Sequence, residues 1–585
     1  MPSWGRAHLQ SNEGRPTGGR YFDLRILAGR VLGRMDRAMK IEIVIAGGGF
    51  AGAYCAKSLA RHLGRGCIDR VGLIAEQNVM VFQPMLAEVA GAALSPLDVV
   101  NPLRQFCRGV NVLRGKVTRI DLEKRVLEVD AGRFTENVTI EFEHLVLALG
   151  SIVDLSRVPG MPEHGYLLKN VADALHLRAA MINRLEQANL EQDNEVVLRL
   201  MTFVVVGGGY SGVEMSGQML DLLKDVKRFY HNLRRVTPRV ILVHSGPRLM
   251  PEVSESLGHY AEQKLRERGL EILLNSRVVS MTAHKALLQD GKAIDTCLVL
   301  STVGNAPHPV VVDLCKQCGL ESVKGRIATE PTMQVKGRDR LWAAGDCAAV
   351  PCNGEPASPP TAQFAQRQGK ALGDNLALSL QGQKPKPFHH KNLGQLASIG
   401  HRTAVAEILN LRFSGFLAWF IWRTTYLAKL PGLQRKLRVM VDWTMDLFFP
   451  RDLSVLVPTP TKQLQEMHLE KGDVVFHAGE PAFSFYIVKE GRVDVFDGDK
   501  LLESKNAGET FGQHGLARGR WQFGAIAAEP TTLVAVSKDA FETFYKSSQN
   551  FRDWVKRTEV ESPANRAGDR PPTPVKPAEE PVVKP

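Results

Sequence analysis

Two segments of this chain share a three-part pattern that restricts the fold more than any other feature. An apolar strand pattern at residues 41–46 runs into GGGFAG at residues 47–52 and then into an alanine-rich helical pattern. A second strand pattern at residues 203–206 runs into GGGYSG at residues 207–212 and another helical pattern. Strand, glycines and helix in this order are typical of dinucleotide-binding units, whereas a lone glycine triplet is weak evidence. We therefore expect two such units.

The glycines in these motifs have a chemical role. Glycine lets the backbone turn sharply and approach a pyrophosphate, whose charge is stabilised by the amides at a helix N-terminus. The candidate cofactor-binding residues are Gly47, Gly49 and Gly52 for one dinucleotide, and Gly207, Gly209 and Gly212 for the other.

The two units differ at the residue that ends the next strand. In the first unit that residue is Glu76, whose carboxylate can accept hydrogen bonds from ribose hydroxyls; a solvated strand end is the alternative. In the second unit it is His244. Because no carboxylate repels a 2′-phosphate there, and Arg248 lies nearby, NADH and NADPH both stay open.

Length and charge set wider limits. A chain of 585 residues is long enough for about three or four domains. Its net charge of +12 implies an anionic partner, which could be nucleic acid, acidic lipid or a phosphorylated cofactor. The longest apolar run, at residues 416–422, stops at Arg423 and is far shorter than the ~20 residues of a spanning helix.

The cysteines indicate a reducing compartment. The eight cysteines are scattered, unlike the dense pattern of a small secreted domain. Cys315 and Cys318 form a C-x-x-C pair, which can be a redox dithiol or half of a zinc site. Because no second pair completes a zinc site, we expect no metal site, and we expect the pair to be incidental thiols in a surface loop.

The C-terminal third follows other patterns. Between residues 413 and 448 apolar residues recur at helical spacing, with tryptophans and basic residues among them, which suits either a lipid interface or packing on the protein's own core. Short strand patterns with glycine turns follow from about residue 464 to 544 and predict a β-rich module. The end, from about residue 562, is proline-rich and charged and predicts a disordered tail.

Two further segments carry a resemblance to a known superfamily. With the two glycine motifs, LVLALG at residues 145–150 and LWAAGD at residues 341–346 resemble the two-dinucleotide flavoprotein reductases. The resemblance implies that the first motif holds FAD and the second holds the nicotinamide nucleotide. It places Asp346 beside the ribityl and pyrophosphate part of the flavin, and adds Gly150 and Gly304 as cofactor-binding candidates.

A narrower resemblance covers residues 40–453. FQPML at residues 82–86, Glu214 after the second motif and PPTAQ at residues 359–363 resemble the type II NADH:quinone oxidoreductases. That family implies that Glu214 faces the nicotinamide and that Gln363 lies at the quinone side of the flavin. It also implies membrane docking through the helical segment.

One position departs from that family. Arg367 stands where the family usually has a second glutamine. Its guanidinium could hydrogen-bond a quinone carbonyl or stabilise a reduced anionic flavin, or it could be a solvated helix residue. The catalytic candidates are therefore Glu214, Gln363 and Arg367.

The β-rich module resembles the cyclic-nucleotide-binding β-roll. In that fold a glutamate binds the ribose and an arginine binds the cyclic phosphate, but the corresponding residues here are Gln513 and Gln522. Because charge-assisted hydrogen bonds contribute roughly 1.5–3 kcal/mol each, we expect no cyclic AMP binding. Another ligand, self-association and a structural cap stay open for this module.

The sequence thus predicts an α/β chain with two Rossmann-like domains, an amphipathic helical membrane-docking region and an appended β-roll. The expected segments are a basic N-terminal extension (1–39; untranslated if Met39 is the true start, or a transit peptide), the FAD domain (40–200 and 311–400), the NAD(P)H domain (201–310), docking helices (401–455), the β-roll (456–555) and a tail (556–585).

The predicted function is a non-proton-pumping, FAD-dependent NAD(P)H:quinone oxidoreductase, held peripherally on the cytoplasmic face of the cell membrane, with no nucleic-acid partner. A homodimer stays open. The alternatives are a soluble reductase for a protein or dithiol acceptor and a non-catalytic redox sensor.

Overall fold

The computed structural model describes residues 39–132, 137–390, 394–409, 411–455, 465–480, 482, 484–537, 541, 549 and 552–553. The predicted tail at 556–585 and residues 1–38 of the predicted N-terminal extension lie outside the described residues.

A seven-stranded sheet carries the first glycine motif. Its order is Asn111–Arg114, Val71–Ala75, Met39–Ala46, Val138–Leu147, Val126–Asp130 and Lys116–Asp121, with Leu341–Ala343 also paired to Val138–Leu147. The strands on either side of Met39–Ala46 run parallel to it. Their carboxyl ends therefore meet at one edge, where helix α1 (Phe50–Leu63) begins. The short helix α2 (Leu86–Ala90) follows farther along the chain.

A five-stranded parallel sheet carries the second motif. Its order is Gly165–Tyr166, Leu298–Ser301, Thr202–Val206, Arg239–Val243 and Leu270–Leu273. Helix α3 (Tyr210–Lys227) begins directly after the glycines, with Gly209 at its N-cap. The central strands are buried, which explains their nearly continuous apolar sequence.

The chain returns to the first sheet after the second one. Leu341–Ala343 joins Val138–Leu147, and helix α4 (Ala362–Leu380) then packs against α1. Glycine permits this contact, because a Cβ at Gly369 would lie 2.1 Å from the Ala51 carbonyl oxygen.

The shorter elements connect these sheets. The remaining strands up to residue 349 are Val79–Val81, Val100–Pro102, Ser151–Val153, Val278–Met281, Lys285–Leu288, Ala293–Asp295, Asn305–Pro307, Ser322–Val323, Arg326–Ala328 and Ala348–Ala349. The remaining helices are Cys67–Arg70, Leu103–Phe106, Met161–His164, Val171–Leu190, Asn194–Leu200, Glu255–Glu267 and Pro309–Cys318, with 3-10 turns at Gly64–Gly66, Gln83–Met85 and Gly345–Cys347.

The predicted amphipathic helices are confirmed. An antiparallel sheet of Gly394–Ser398, Ala404–Ile408 and Leu411–Ser414 leads into α5 (Gly415–Lys429) and α6 (Leu433–Met445). The exposed apolar side chains of the two helices are Phe416, Leu417, Phe420, Leu433, Leu437, Met440, Val441 and Met445. Among the described residues, no helix has the length and apolar character needed to cross a bilayer.

The tryptophans of this segment do not belong to the exposed face, and the expectation that they suit a lipid interface is wrong. Trp419, Trp422 and Trp443 are buried. The Arg423 guanidinium lies 4.0 Å from the centre of the Trp419 ring and 4.6 Å from that of Trp443. These aromatic rings therefore pack α5 and α6 against the rest of the protein.

The predicted β-rich module is confirmed as two four-stranded sheets. Their orders are Gln465–Leu469, Thr531–Ser537, Ser484–Glu490, Thr510–Phe511 and Val474–Phe476, Gly524–Ala527, Arg492–Asp497, Lys500–Asn506, with a helix at Gln513–Arg518. The Trp521 ring stacks on Phe476 with ring centres 3.8 Å apart. It also covers the start of the helix, since a Cβ at Gly512 or Gly515 would lie 2.7 or 2.4 Å from this ring.

Replacing Gly369 with alanine is expected to lower the free energy of unfolding by about 1–3 kcal/mol, because the new methyl group would overlap the Ala51 carbonyl. Thermal unfolding measures the change. Gly66→Ala is the control, because a Cβ there would meet nothing within 4 Å. Equal melting temperatures for the two variants would contradict the close contact of α1 and α4.

Candidate active site

The first cavity lies where the first glycine turn meets α1. Its volume is about 330 Å³. Five of the predicted cofactor residues line it, namely Gly47, Gly49, Glu76, Gly150 and Asp346. The carboxyl edge of a parallel sheet and a helix N-terminus together favour a phosphate-bearing ligand.

A polar chain extends from Asp346 along this cavity. Ser151 Oγ donates a hydrogen bond to Asp346 Oδ2 at 3.3 Å, and Lys169 Nζ donates to Ser151 Oγ at 3.0 Å. Lys169 also lines the cavity. Sequence reasoning missed Ser151 and Lys169, because an isolated lysine before a helix carries no motif.

The third glycine of each motif packs the helix against its own turn. A Cβ at Gly52 would lie 1.8 Å from the Gly47 carbonyl oxygen, and a Cβ at Gly212 would lie 1.8 Å from that of Gly207. Neither Gly52 nor Gly212 is among the cavity-lining residues. Their structural role is close helix packing, as the motif requires.

The second glycine turn holds His244. The Gly208 amide donates to His244 Nδ1 at 3.1 Å, and burial lowers the pKa of the imidazole. Gly209, at the N-cap of α3, would place a Cβ 3.7 Å from Glu252 Oε1. His244 is therefore a neutral hydrogen-bond acceptor that supports the turn.

Two other residues near the second turn have structural contacts of their own. Arg248 donates to the carbonyl oxygens of Met250, Pro251 and Val253, so the guanidinium is tied to its own loop. Gly304 has a φ of +98° and would place a Cβ 2.7 Å from the Asp154 carbonyl oxygen. Gly304 thus allows the strands Ser151–Val153 and Asn305–Pro307 to approach each other.

A second cavity of about 430 Å³ joins the two units. It brings together two of the three catalytic candidates, Glu214 from α3 and Gln363 from α4. Tyr426 and Lys429 reach it from α5, and Tyr210 reaches it from the start of α3. Sequence reasoning did not select these last three residues, because only the tertiary fold brings them to the site.

The Glu214 carboxyl is held inside the protein. Its Oε1 accepts a hydrogen bond from the Ser398 amide at 3.2 Å. Burial, with a smaller contribution from the Glu88 carboxylate, raises the pKa of Glu214 to about 8. At neutral pH the group therefore carries a proton.

Arg367 is not among the residues that line either cavity. Its Nη1 donates to the Gln363 carbonyl oxygen one turn earlier at 3.2 Å, and burial lowers its pKa. Gln363 Nε2 lies 3.5 Å from His390 Nε2. The Arg367 guanidinium thus contacts the backbone of Gln363, whose side chain lines the second cavity.

The cysteine pair is not in a surface loop, and that expectation is wrong. Cys315 and Cys318 lie in the last turn of the helix Pro309–Cys318. The Cys315 side chain is buried, and Cys318 is partly exposed. Burial raises the pKa of the Cys315 thiol. Neither cysteine lines the first or second cavity, so the pair is remote from the site.

Comparisons with known proteins match this architecture. The family model described as pyridine nucleotide-disulphide oxidoreductase matches residues 41–369, the NDH2 C-terminal domain matches residues 392–452, and the cyclic nucleotide-binding domain matches residues 466–548. The type II NADH:quinone oxidoreductase Ndh of Mycobacterium tuberculosis is 30% identical over 448 residues, which are 73% of this chain and 94% of that protein. The chain belongs to the type II NADH:quinone oxidoreductases.

Other members of the type II family agree. The external alternative NADH-ubiquinone oxidoreductase of Yarrowia lipolytica is 26% identical over 450 residues, which cover 65% of this chain and 76% of that protein. The solved NDH2 structure from Plasmodium falciparum superposes with a TM-score of 0.66 at 18% identity, covering 72% of this chain and all of that one. The predicted family, fold class and oxidoreductase activity are confirmed.

The raised pKa of Glu214 predicts a pH-dependent stability. The folded carboxyl holds its proton more tightly than the unfolded one, so its stabilising contribution is present below pH 4.5 and is lost as the pH rises through about 8. Glu214→Gln removes this loss. Glutamine does not titrate, so the variant keeps its stability where the wild type loses it. The free energy of unfolding of Glu214→Gln minus that of the wild type should therefore be at least about 1 kcal/mol larger at pH 9 than at pH 5.

Chemical denaturation at the two pH values measures this difference. Glu123→Gln is the matched control, because the Glu123 side chain is exposed. A pH-independent difference for Glu214→Gln would show that its carboxyl titrates normally.

Proposed function

We propose that the protein oxidises NADH through bound FAD and reduces a membrane quinone with the two electrons, without pumping protons. One observation carries this proposal. Phe50, Gln83 and Ala362 line both the first and the second cavity, so the two cavities adjoin. The second cavity has Glu214 on one wall and Gln363 on another, and it can therefore serve a hydride donor and an electron acceptor.

The first cavity fits FAD. A Cβ at Gly47 would lie 2.1 Å from the Ala148 carbonyl oxygen, so only glycine leaves room for the turn. Glu76 would accept from the adenosine ribose, and the chain from Asp346 through Ser151 to Lys169 would bind the ribityl and pyrophosphate part. When bound, FAD supplies the hydride acceptor and the two-electron donor, and the protein orients it and excludes water.

The nicotinamide side of the second cavity is built on the start of α3. Tyr210 donates to Gln395 Oε1 at 2.5 Å, which fixes the ring beside Glu214. The protonated Glu214 carboxyl can donate a hydrogen bond without presenting a negative charge to the departing hydride. This arrangement supports a positioning role for Glu214 at the nicotinamide.

The quinone side has polar donors next to an apolar surface. The Gln363 amide and the Lys429 ammonium can each donate to a quinone carbonyl, and Arg367 holds the Gln363 backbone. Tyr426 and Lys429 lie on α5, the helix that also carries the exposed Phe416 and Phe420. One helix thus carries both an exposed apolar face and residues of the cavity, which supports a lipid-soluble substrate and the peripheral attachment that we propose at the cytoplasmic face of the membrane.

Replacing Gln363 with leucine is expected to separate the two half-reactions. Loss of one hydrogen bond to the quinone should lower kcat/KM for a short-chain quinone about tenfold, which corresponds to roughly 1.4 kcal/mol. Flavin reduction by NADH should change less than about twofold, because the nicotinamide side is untouched.

Stopped-flow measurement of each half-reaction tests this. Gln383→Leu is the control, because Gln383 is exposed and lies outside both cavities. Equal quinone rates in both variants would place the quinone elsewhere.

We infer NADH rather than NADPH as the hydride donor. Neither basic residue offered by the sequence can bind a 2′-phosphate as it stands, since His244 is neutral and Arg248 is tied to three carbonyls. His244→Arg should raise kcat/KM for NADPH about tenfold relative to NADH, because it adds a fixed cation at the strand end. Steady-state assays with both nucleotides measure the ratio, and wild-type preference for NADPH would overturn this inference.

A further inference from the structure

The quinone side of the second cavity gathers three basic side chains. Lys429 of α5 lines this cavity together with Gln363 of α4. Arg367 Nη1 donates to the Gln363 carbonyl oxygen at 3.2 Å, and His390 Nε2 lies 3.5 Å from Gln363 Nε2. Gln363 therefore lies among groups that can carry a positive charge. We call Arg367, His390 and Lys429 the basic cluster.

The segment that carries His390 is held firmly. Asn353 Nδ2 donates to the His390 carbonyl oxygen at 2.6 Å, and the Phe388 amide donates to the Pro331 carbonyl oxygen at 2.7 Å. The His390 side chain is 7% exposed and packs edge-on against Phe364, with ring centres 5.0 Å apart. The position of this imidazole is therefore built into the fold.

The members of the basic cluster act on one another. Burial and, to a smaller extent, the Arg367 guanidinium lower the pKa of Lys429. Burial, Arg367 and Lys429 together lower the pKa of His390. A lowered pKa of a basic group means that its positive charge is destabilised where it stands. A negative charge bound beside the cluster would relieve this destabilisation.

The described part of the chain supplies no such negative charge, because no carboxylate there shifts the pKa of any member of the basic cluster. Two carboxyls line the second cavity, Glu214 and Glu252. Glu214 is protonated at neutral pH, and the charge of Glu252 favours the protonated forms of Tyr210 and His244, on the nicotinamide side. Since partly buried charges in proteins are normally paired, the cluster suits an anion that comes from outside.

The phosphates of FAD do not meet this need. They would lie at the first glycine turn, and no member of the basic cluster lines the first cavity. The anion that suits the cluster therefore belongs to the ligand on the quinone side.

We propose that the quinone side of the second cavity prefers acidic quinones, in which an ionised hydroxyl stands beside a ring carbonyl, over neutral quinones of the same size. The inference rests on the proposed function, because it names the ligand class of the same site. Lys429 would bind the ionised oxygen, the Gln363 amide would donate to the neighbouring carbonyl, and Arg367 adds positive potential from behind Gln363. Hydrogen bonds to an ionised oxygen are stronger than those to a neutral one.

Two naphthoquinones of similar size test this preference. The hydroxyl of 2-hydroxy-1,4-naphthoquinone is conjugated to the far carbonyl and is ionised at neutral pH, whereas 2-methoxy-1,4-naphthoquinone cannot ionise. Isothermal titration calorimetry on the oxidised holoenzyme, without NADH, gives both dissociation constants. We expect the hydroxy compound to bind about tenfold more tightly at low ionic strength, with a preference that shrinks as salt is added.

Lys429→Gln and Arg367→Gln each remove a charge and keep a hydrogen-bond donor. Each should lower the ratio of the two dissociation constants by about threefold or more, because only the ionised compound loses a charge partner. Lys429→Arg keeps the charge and should retain most of the preference. Lys370→Gln is the matched control, because Lys370 follows Arg367 by one turn of α4, is exposed and lines neither cavity.

Equal dissociation constants for the two compounds in the wild type would overturn the preference. An unchanged ratio in both Lys429→Gln and Arg367→Gln would overturn the assignment to the basic cluster. The proposed function fails in a different way, since a short-chain quinone that cannot reoxidise the reduced flavin would overturn quinone reduction itself. Normal reoxidation together with equal dissociation constants would overturn this inference alone.

Discussion

Three helices are positioned by the close approach of a glycine to a backbone carbonyl. Gly52 and Gly212 bring α1 and α3 onto their own turns, and Gly369 brings α4 onto α1. Each contact leaves no space for a side chain. Because of them, α1 begins at the first cavity, Tyr210 and Ser211 at the start of α3 line the second cavity, and the start of α4 brings Gln363 to that second cavity. A loosened contact would move an entire helix rather than one residue.

Helix α5 carries both an exposed apolar face and residues of the second cavity. Its exposed Phe416 and Phe420 form part of that face, and Tyr426 and Lys429 line the second cavity. The proposed membrane docking and quinone binding therefore both depend on the placement of this helix. The described residues of the β-roll line neither the first nor the second cavity, and Trp521 covers the start of the helix Gln513–Arg518, which carries Gln513 at the position of the ribose-binding glutamate.

The sequence predicted the parts of the site that are encoded locally. The glycine turns, Glu76 at a strand end and the Gly-Asp segment at Asp346 are each fixed by spacing to an adjacent strand or helix, so their places follow from local pattern. Lys169 and Lys429 could not be found this way, since each reaches its cavity only after distant segments pack. The same limit explains the two errors. Helical spacing does not show whether the tryptophans of α5 and α6 face the solvent or the protein core. The C-x-x-C pattern does not show that Cys315 and Cys318 lie at the end of a helix rather than in a loop.

We propose that two adjoining cavities pass electrons from NADH to quinone through bound FAD. Anaerobic titration of the purified protein with NADH, followed by mixing with a short-chain quinone in a stopped-flow instrument, tests it most directly. We expect NADH to bleach the flavin absorbance at one equivalent per protein and quinone to restore it within the turnover time. Bleaching that quinone cannot reverse would contradict the second cavity as a quinone site, and the absence of bound flavin would contradict the account as a whole.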